Sequence, residues 1–304
     1  MNAPRPPDLT GRVAVVTGAT SGIGKEVALG LARFRATTVV VGRGEDRARR
    51  VAAEISRATG NPRVESLRVD DLSALQDARE LAATLLDRYP AVHALVNNAG
   101  AYFRRKEVTV EGFERTLALN VLSPFVLTSL LTPRLVASTP ARVVNVTSAA
   151  HQGAQVDFDD LQFARSRYRG YRAYGNSKLE LLWLTREFAR RLAGTGVTVN
   201  AVHPGYVRSG FGLNNGGGTA IAMRVLARLF ARSAEKGAET PIFLASASEV
   251  STSTGGYYAD RVLRPGTEES RDMAKAARFF RVCEELTHVT SLPEPSPAAP
   301  STAE

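Results

Sequence analysis

Tyr174 and Lys178 stand four residues apart in a segment whose apolar spacing predicts a helix. Residues four apart lie one above the other on the same helix face, so the phenol and the ammonium group would point the same way. A nearby cation favours the phenolate and would lower the pKa of Tyr174, which is ordinarily about 10. A phenol tuned in this way can pass a proton near neutral pH. The pair alone is a common coincidence, so its interpretation depends on the elements that position it.

A glycine-rich segment near the N-terminus has the pattern of a phosphate-binding turn. Gly18 and Gly22 lie between a predicted buried strand, 12–17, and a predicted amphipathic helix, 23–34, and Gly24 lies in the first turn of that helix. The glycines let the backbone approach a pyrophosphate closely, and the helix N-terminus supplies free N–H groups and the positive end of a dipole. Between a strand and a helix, this segment predicts a dinucleotide-binding site.

The residues that follow the second predicted strand, 37–41, indicate which dinucleotide is bound. An acidic residue about 20 positions past such a loop binds the ribose 2′-hydroxyl of NAD. Gly42 and Arg43 stand there instead, and Arg attracts the 2′-phosphate that an acid would repel. We therefore predict that NADP(H) is preferred over NAD(H), with Lys25 as a candidate second cation. The alternative is that Arg43 is a solvated residue in an Arg-rich stretch.

Apolar runs and helical segments alternate along the whole chain. This alternation predicts an α/β fold with a doubly wound parallel sheet of about seven strands and helices on both faces. Ligands of such sheets bind beyond the carboxyl ends of the strands, where the glycine-rich turn, Asn97, Ser148 and Pro204 all fall. The predicted strands are 12–17, 37–41, 63–69, 92–96, 142–147, 197–202 and 254–259, and the predicted helices include 44–59, 73–88, 111–137 and 171–193.

Single polar residues carry weaker signals. Asp71 follows the third strand, where its carboxylate could accept a hydrogen bond from an adenine amine or cap the next helix. His151, three residues after Ser148, could line the site, although a histidine in a loop is more often solvated. With four scattered His and one Cys, no metal site is predicted.

The composition narrows the class of protein. Of 304 residues, 44% are apolar, enough for a sizeable core, and 39 Lys+Arg against 30 Asp+Glu give a net charge of +9. The basic residues are dispersed and no helix-turn-helix or zinc pattern is visible, so no nucleic-acid partner is expected. The lone Cys283 excludes an internal disulfide and fits a reducing cytoplasm. Polar and proline residues interrupt the longest apolar stretch, 117–137, so no membrane span is predicted.

Together these motifs resemble those of the short-chain dehydrogenase/reductases over about residues 10–290. Within that family the chain looks most like the retinol dehydrogenase-like branch, which shares the gap of 26 positions between Ser148 and Tyr174. The family motifs are Thr17–Gly24, Asn97–Gly100, Asn120, Ser148, Tyr174–Lys178 and Pro204–Gly205, and the segments typical of the branch are Val156–Gln162, Tyr174–Leu179, Arg191–Gly205 and Lys236–Thr240.

The resemblance implies a Rossmann-type fold and hydride transfer between a nicotinamide and a lipophilic alcohol or carbonyl. Tyr174 would donate the proton, Lys178 would lower its pKa and hold the nicotinamide ribose, and Ser148 would bind the substrate oxygen. Asn120 would hold a water that links Lys178 to solvent. The expected cofactor contacts are Gly18, Thr20, Ser21, Gly22, Ile23, Gly24, Arg43, Asp71, Leu72, Asn98, Ala99, Gly100, Tyr174, Lys178, Pro204 and Gly205.

The remaining expectations concern domain limits and surfaces. We predict one catalytic domain, 11–286, between disordered ends at 1–10 and 287–304, with a substrate lid near 206–235. The amphipathic, basic segment 221–232 could instead be a packed surface helix or a peripheral membrane contact. The helix 171–193 is apolar on more than one side, so it must be buried in the core, in a subunit interface or in both. The alternative function is a non-catalytic NADP(H)-binding sensor.

Overall fold

The computed structural model describes residues 7–205 and 233–290. Its described strands form one sheet in the order β3-β2-β1-β4-β5-β6-β7-β8. Neighbouring strands are parallel from β3 through β7, and β8 pairs antiparallel with β7 at the edge. The strands are β1 Val13–Thr17, β2 Thr37–Gly42, β3 Val64–Arg68, β4 Ala94–Asn97, β5 Ala141–Val146, β6 Val197–Val202, β7 Tyr257–Ala259 and β8 Val262–Arg264.

Helices cover both faces of the sheet because its strands are apolar on both sides. Val15 and Val39 pack towards one core layer, with α3, α4, α5 and α8, whereas Val16 and Val40 pack towards the other, with α1, α2 and α6. The doubly wound α/β fold predicted from the alternation is therefore confirmed. The helices are α1 Gly22–Arg33, α2 Glu45–Thr59, α3 Leu75–Arg88, α4 Arg115–Ala137, α5 Gly170–Arg191, α6 Ala234–Ser246, α7 Glu268–Arg271 and α8 Met273–Thr287.

Several elements differ from the sequence prediction. Helices α6, α7 and α8 were not predicted, and two further differences have a local cause. The eighth strand, β8, was not expected because all three of its residues are exposed and it contains no buried apolar run. Helix α4 begins at Arg115 rather than at residue 111, because the Glu114 carboxylate caps it by accepting hydrogen bonds from the N–H groups of Thr116 and Leu117 at 2.9 and 2.8 Å. Inside α4 the segment Ala118–Leu122 is a π-helical turn.

The packed chain extends past both predicted domain limits. Near the start, the N–H of Leu9 donates to the Phe34 carbonyl at 2.7 Å, and near the end Val289 is buried in the core. Ser233 caps helix α6, so the last residues of the predicted lid belong to that helix. The rest of the predicted lid, 206–232, and most of the two predicted disordered ends lie outside the described residues.

Helix α5 is buried by its own chain, as its composition predicts for a helix of the core. Helix α8 packs along it, and the Phe280 ring lies 4.9 Å from that of Phe188 in α5 and 5.1 Å from that of Phe125 in α4. The guanidinium of Arg191 stacks 4.0 Å from the Phe280 ring. Helix α4 has the length and hydropathy of a membrane span, but 83% of its most apolar 18-residue stretch is buried inside the fold.

Replacement of Phe280 by Ala should lower the free energy of unfolding by about 3–5 kcal/mol, because it leaves a cavity among fully buried rings. Chemical denaturation measures this directly, and Glu285→Ala on the exposed side of the same helix is the matched control. A loss below about 1 kcal/mol, within the usual range for a surface change, would show that α8 does not hold α5 in place.

Candidate active site

The carboxyl ends of four central strands bring the predicted site residues to one edge of the sheet. The glycine-rich turn follows β1, Asn98 follows β4, Ser148 lies two residues past β5, and Pro204 lies two residues past β6. Helix α5 passes this edge and carries Tyr174 and Lys178, whose exposed fractions are 9% and 4%. The arrangement is a largely buried group of polar side chains at the end of an apolar sheet.

The glycine-rich turn needs its glycines. Gly18 and Gly22 have φ angles of +64° and +54°, which favour glycine. A side chain at Gly24 would place its Cβ 2.4 Å from Nδ2 of Asn98 and 2.5 Å from the Gly18 carbonyl oxygen. Ser21 precedes α1 without capping it through its side chain, so N–H groups of the first turn remain free to bind an anion. The turn therefore fits the pyrophosphate of a dinucleotide.

Asn98 ties the first strand to the fourth beneath the turn. Its N–H and that of Ala99 donate to the Thr17 hydroxyl at 3.1 and 3.0 Å, and its side-chain amide donates to the Thr17 carbonyl at 2.9 Å. These bonds fix the distance between the two strand ends that a bound dinucleotide would bridge. Ile23 packs against the core, and the buried Leu72 side chain leaves only its backbone for a cofactor.

A side chain at the end of β2 would meet the glycine-rich turn. A Cβ at Gly42 would lie 2.2 Å from Cγ2 of Thr20, so a larger residue would require the Thr20 side chain to move. The next residue, Arg43, is exposed. Lys25, considered as a second cation, forms an ion pair with Glu54 at 2.6 Å.

The carboxylate of Asp71 binds Ser73 and Arg115, and it does not cap a helix. Its Oδ1 accepts from the Ser73 N–H at 3.0 Å and its Oδ2 pairs with the Arg115 guanidinium at 2.7 Å, whereas α3 begins only at Leu75. Partial burial would raise the pKa of Asp71, but these hydrogen bonds and the Arg115 charge hold it below its usual value. The carboxylate is thus ionised and fixed at the edge of the predicted adenine site.

Ser148, Tyr174 and Lys178 lie together at the centre of the edge. The side chain of Ser148 lies close enough to the Tyr174 phenol to lower its pKa, and the Ser148 Oγ accepts from the Ala150 N–H at 3.2 Å. The ammonium of Lys178 donates to the Val146 carbonyl at 3.1 Å and lies 5.5 Å from the centroid of the Tyr174 ring. The Tyr102 ring, which the motifs did not single out, stands edge-on to Tyr174 at 6.3 Å.

The expected direction of the Tyr174 pKa shift is wrong for this structure. Burial raises the pKa of Tyr174 to about 12, and the hydrogen bond from Ser148 opposes that rise only in part. Burial also lowers the pKa of Lys178 to about 8. The cost of removing each group from water dominates both pKa shifts, and a four-residue spacing does not reveal that cost.

Asn120 lies in the π-helical turn of α4, and its side chain hydrogen-bonds Ala101 and Ser177. Its Oδ1 accepts from the Ala101 N–H at 2.9 Å, and its Nδ2 donates to the Ala101 carbonyl and the Ser177 hydroxyl, both at 3.0 Å. A Cβ at Gly100 would lie 3.1 Å from this Oδ1 and 3.3 Å from the Lys178 ammonium. Asn120 therefore holds the 100–101 segment beside Lys178, and the predicted water-holding role remains a prediction.

His151 is not solvated, contrary to the reading of a histidine in a loop. It is 1% exposed, and its Nδ1 lies 2.7 Å from the Ser148 carbonyl oxygen. His203 was also not singled out, and its Nδ1 accepts from the Ala149 N–H at 3.2 Å. No pattern in the sequence marked either contact, because both depend on how the segment after β5 folds back under the site.

A dinucleotide-binding turn and a Ser, Tyr and Lys group at the carboxyl edge of a parallel sheet define an oxidoreductase of alcohols and carbonyls that uses a nicotinamide cofactor. The family model for the short chain dehydrogenase matches residues 12–216. The chain belongs to the short-chain dehydrogenase family.

Similar proteins place it further within that family. It is 39% identical over 272 residues to a protein of Streptomyces sp. (strain C5) that has the provisional name daunorubicin C-13 ketoreductase DnrU, covering 90% of this chain and 91% of that protein. It is 36% identical to human retinol dehydrogenase 13 over 276 residues, 90% of this chain and 83% of the relative. A short chain dehydrogenase from Burkholderia cenocepacia J2315, solved in complex with NADP, has a TM-score of 0.64 at 27% identity, covering 82% of this chain and 96% of its own.

Tyr174 should remain a neutral phenol well above neutral pH in the protein without added cofactor, because burial raises its pKa. Ultraviolet difference spectra of the wild type minus Tyr174→Phe, recorded against pH, isolate this phenol from the other tyrosines. No tyrosinate signal from Tyr174 is expected below pH about 10, the ordinary pKa of the group. A tyrosinate signal already present near pH 7–8 would restore the original expectation that Lys178 governs this phenol.

Proposed function

We propose that the protein is an NADP(H)-dependent oxidoreductase that transfers a hydride between the nicotinamide and an alcohol or carbonyl group of a lipophilic small molecule. The observation that carries this proposal is the convergence of Ser148, Tyr174 and Lys178 at the carboxyl edge of the sheet, with Tyr174 and Lys178 buried and the Lys178 ammonium 5.5 Å from the Tyr174 ring. A proton donor, an oxygen-binding hydroxyl and a cation thus converge beside the dinucleotide-binding turn.

The bound nicotinamide supplies the hydride for reduction and accepts it for oxidation. In reduction, Tyr174 gives its proton to the carbonyl oxygen, and its raised pKa keeps that proton in place near neutral pH. Ser148 donates to the same oxygen and stabilises the negative charge that develops on it. Lys178, 5.5 Å from the Tyr174 ring, would stabilise the phenolate left behind and hold the hydroxyls of the nicotinamide ribose.

The preference for NADP(H) is supported by what stands at the end of β2. Gly42 supplies no carboxylate to bind the ribose of NAD, and a side chain at this position would require that of Thr20 to move. The exposed Arg43 would pair with a 2′-phosphate through the bidentate contacts that guanidinium groups favour. The relative from Burkholderia cenocepacia was solved with NADP, which agrees with this choice.

The substrate class is inferred from the relatives. Their names describe action at the C-13 ketone of daunorubicin and on retinol, and both molecules contain an extended conjugated hydrocarbon part. A largely apolar alcohol or ketone is therefore proposed as the substrate.

We also propose a cytoplasmic location. The lone, buried Cys283 is consistent with a reducing compartment.

Tyr174→Phe should keep NADPH binding and lose nearly all turnover, since the variant lacks only the hydroxyl that donates the proton. The assay follows loss of reduced-nicotinamide absorbance with aldehydes and ketones of graded size, and NADPH titration by fluorescence measures binding. Tyr171→Phe, an exposed tyrosine of the same helix, is the matched control and should be as active as the wild type. Normal turnover by Tyr174→Phe would overturn the assignment of Tyr174 as proton donor. If the wild type bound NADPH but turned over none of the carbonyls, that result would favour the sensor function.

Arg43→Ala should weaken NADPH binding roughly 10- to 100-fold and leave NADH binding unchanged, because it removes a charge-assisted contact that only the 2′-phosphate can make. Arg47→Ala, at another exposed arginine four residues along, is the control and should change neither the Kd for NADPH nor the Kd for NADH. Equal effects of Arg43→Ala on the two cofactors, or tighter binding of NADH by the wild type, would contradict the proposed preference.

A further inference from the structure

The segment that carries Ser148 is held by an imidazole that the reaction scheme does not use. Ser148 has an extended backbone, and the chain then makes a short 3₁₀ turn, Ala149–Gly153. This turn carries His151 back beneath Ser148, where the imidazole Nδ1 lies 2.7 Å from the Ser148 carbonyl oxygen. The distance is that of a strong hydrogen bond inside a buried region.

The chemistry of the acceptor fixes the state of the imidazole. A carbonyl oxygen only accepts, so Nδ1 must carry the hydrogen and the neutral ring holds its lone pair on Nε2. Burial lowers the pKa of His151, which keeps the ring neutral near pH 7. The ring is held in place by Tyr257 of β7, whose ring lies edge-on at 5.0 Å. The donor is therefore fixed in both tautomer and position.

Other contacts limit the neighbouring residues of the same turn. The Ala149 N–H donates to Nδ1 of His203 at 3.2 Å. Helix α5 approaches so closely that a Cβ at Gly175 would lie 2.9 Å from the Ala150 carbonyl oxygen. The turn is thus held at Ala149 and Ala150, and the His151 imidazole contacts the Ser148 carbonyl oxygen directly.

We propose that His151 is a positioning residue for Ser148. Its Nδ1–H fixes the Ser148 carbonyl and thereby directs the Ser148 hydroxyl towards Tyr174 and the substrate oxygen. His151 touches neither substrate nor cofactor in this role. The inference rests on the proposed function, because it assigns to Ser148 the task of binding the oxygen that becomes negatively charged.

Three substitutions of His151 distinguish the effect of the donor's position on kcat from the effect of the ring's volume. His151→Phe keeps a ring but removes the donor, and should lower kcat roughly 10- to 100-fold, the usual effect of losing a buried hydrogen bond. His151→Asn places an amide N–H near the position of Nδ1 and should recover kcat to within about threefold. His151→Gln places its amide one bond farther out and should not. The Kd for NADPH should be the same in all three.

A double-mutant cycle shows whether His151 acts through Ser148. In a Ser148→Ala background, which lacks the hydroxyl to be directed, His151→Phe should cause little further loss of kcat. A further loss of tenfold or more, or recovery by Gln equal to that by Asn, would overturn the inference. If Ser148→Ala itself turned over normally, the role assigned to Ser148 in the proposed function would fail instead.

Long-range ¹H–¹⁵N spectra of the wild type provide a readout that needs no substrate and no variant. They distinguish the two neutral tautomers of each of the four His residues, and His151 should carry its hydrogen on Nδ1 at pH about 7. A ring with its hydrogen on Nε2, or a charged ring, would overturn the inference even in a fully active enzyme. An inactive wild type with the Nδ1–H tautomer would contradict the proposed function alone.

Discussion

The burial of one cation sets the arrangement of the whole site. Lys178 is 4% exposed, and its ammonium donates to the Val146 carbonyl at the end of β5. Burying an ammonium is costly, and the lowered pKa of Lys178 reflects that cost. The fold must therefore hold acceptors close to it and keep bulky groups away, which explains why Gly100, with no side chain, stands beside it and Asn120 fixes the adjoining segment.

The position of Lys178 also depends on how helix α5 packs against its neighbours. Helix α5 can bring Lys178 and Tyr174 to the sheet edge only if its far side is covered, and the aromatic residues of α8 and α4 cover it. Within β4 and β5 a buried polar network continues the support, since the Asn97 amide donates to Asn145 at 2.8 Å and the Asn145 amide donates to Thr185 of α5 at 2.9 Å. Strand ends and helix are thus linked by directional contacts as well as by apolar packing.

The alternation of apolar runs was sufficient to predict the parallel sheet, and the strand ends were sufficient to predict where the site residues meet. What the sequence did not reveal depends on burial or on unusual local contacts. Strand β8 has no buried residue, and Glu114 is not among the residue types that commonly cap helices. The pKa of Tyr174 was predicted in the wrong direction because the depth of the phenol cannot be deduced from a four-residue spacing. His151 was misjudged for the same reason, since its burial comes from a turn that packs against β7.

The proposed reaction is hydride transfer from NADPH to a carbonyl, with the buried Tyr174 phenol as the proton donor. The decisive experiment uses NADPH deuterated at the transferred position of the nicotinamide, incubated with a carbonyl that the wild type reduces. Mass spectrometry of the alcohol should show one deuterium on the former carbonyl carbon for the wild type, and no labelled alcohol for Tyr174→Phe with NADPH bound. Labelled alcohol formed equally fast by that variant, or unlabelled alcohol from the wild type, would contradict this reaction.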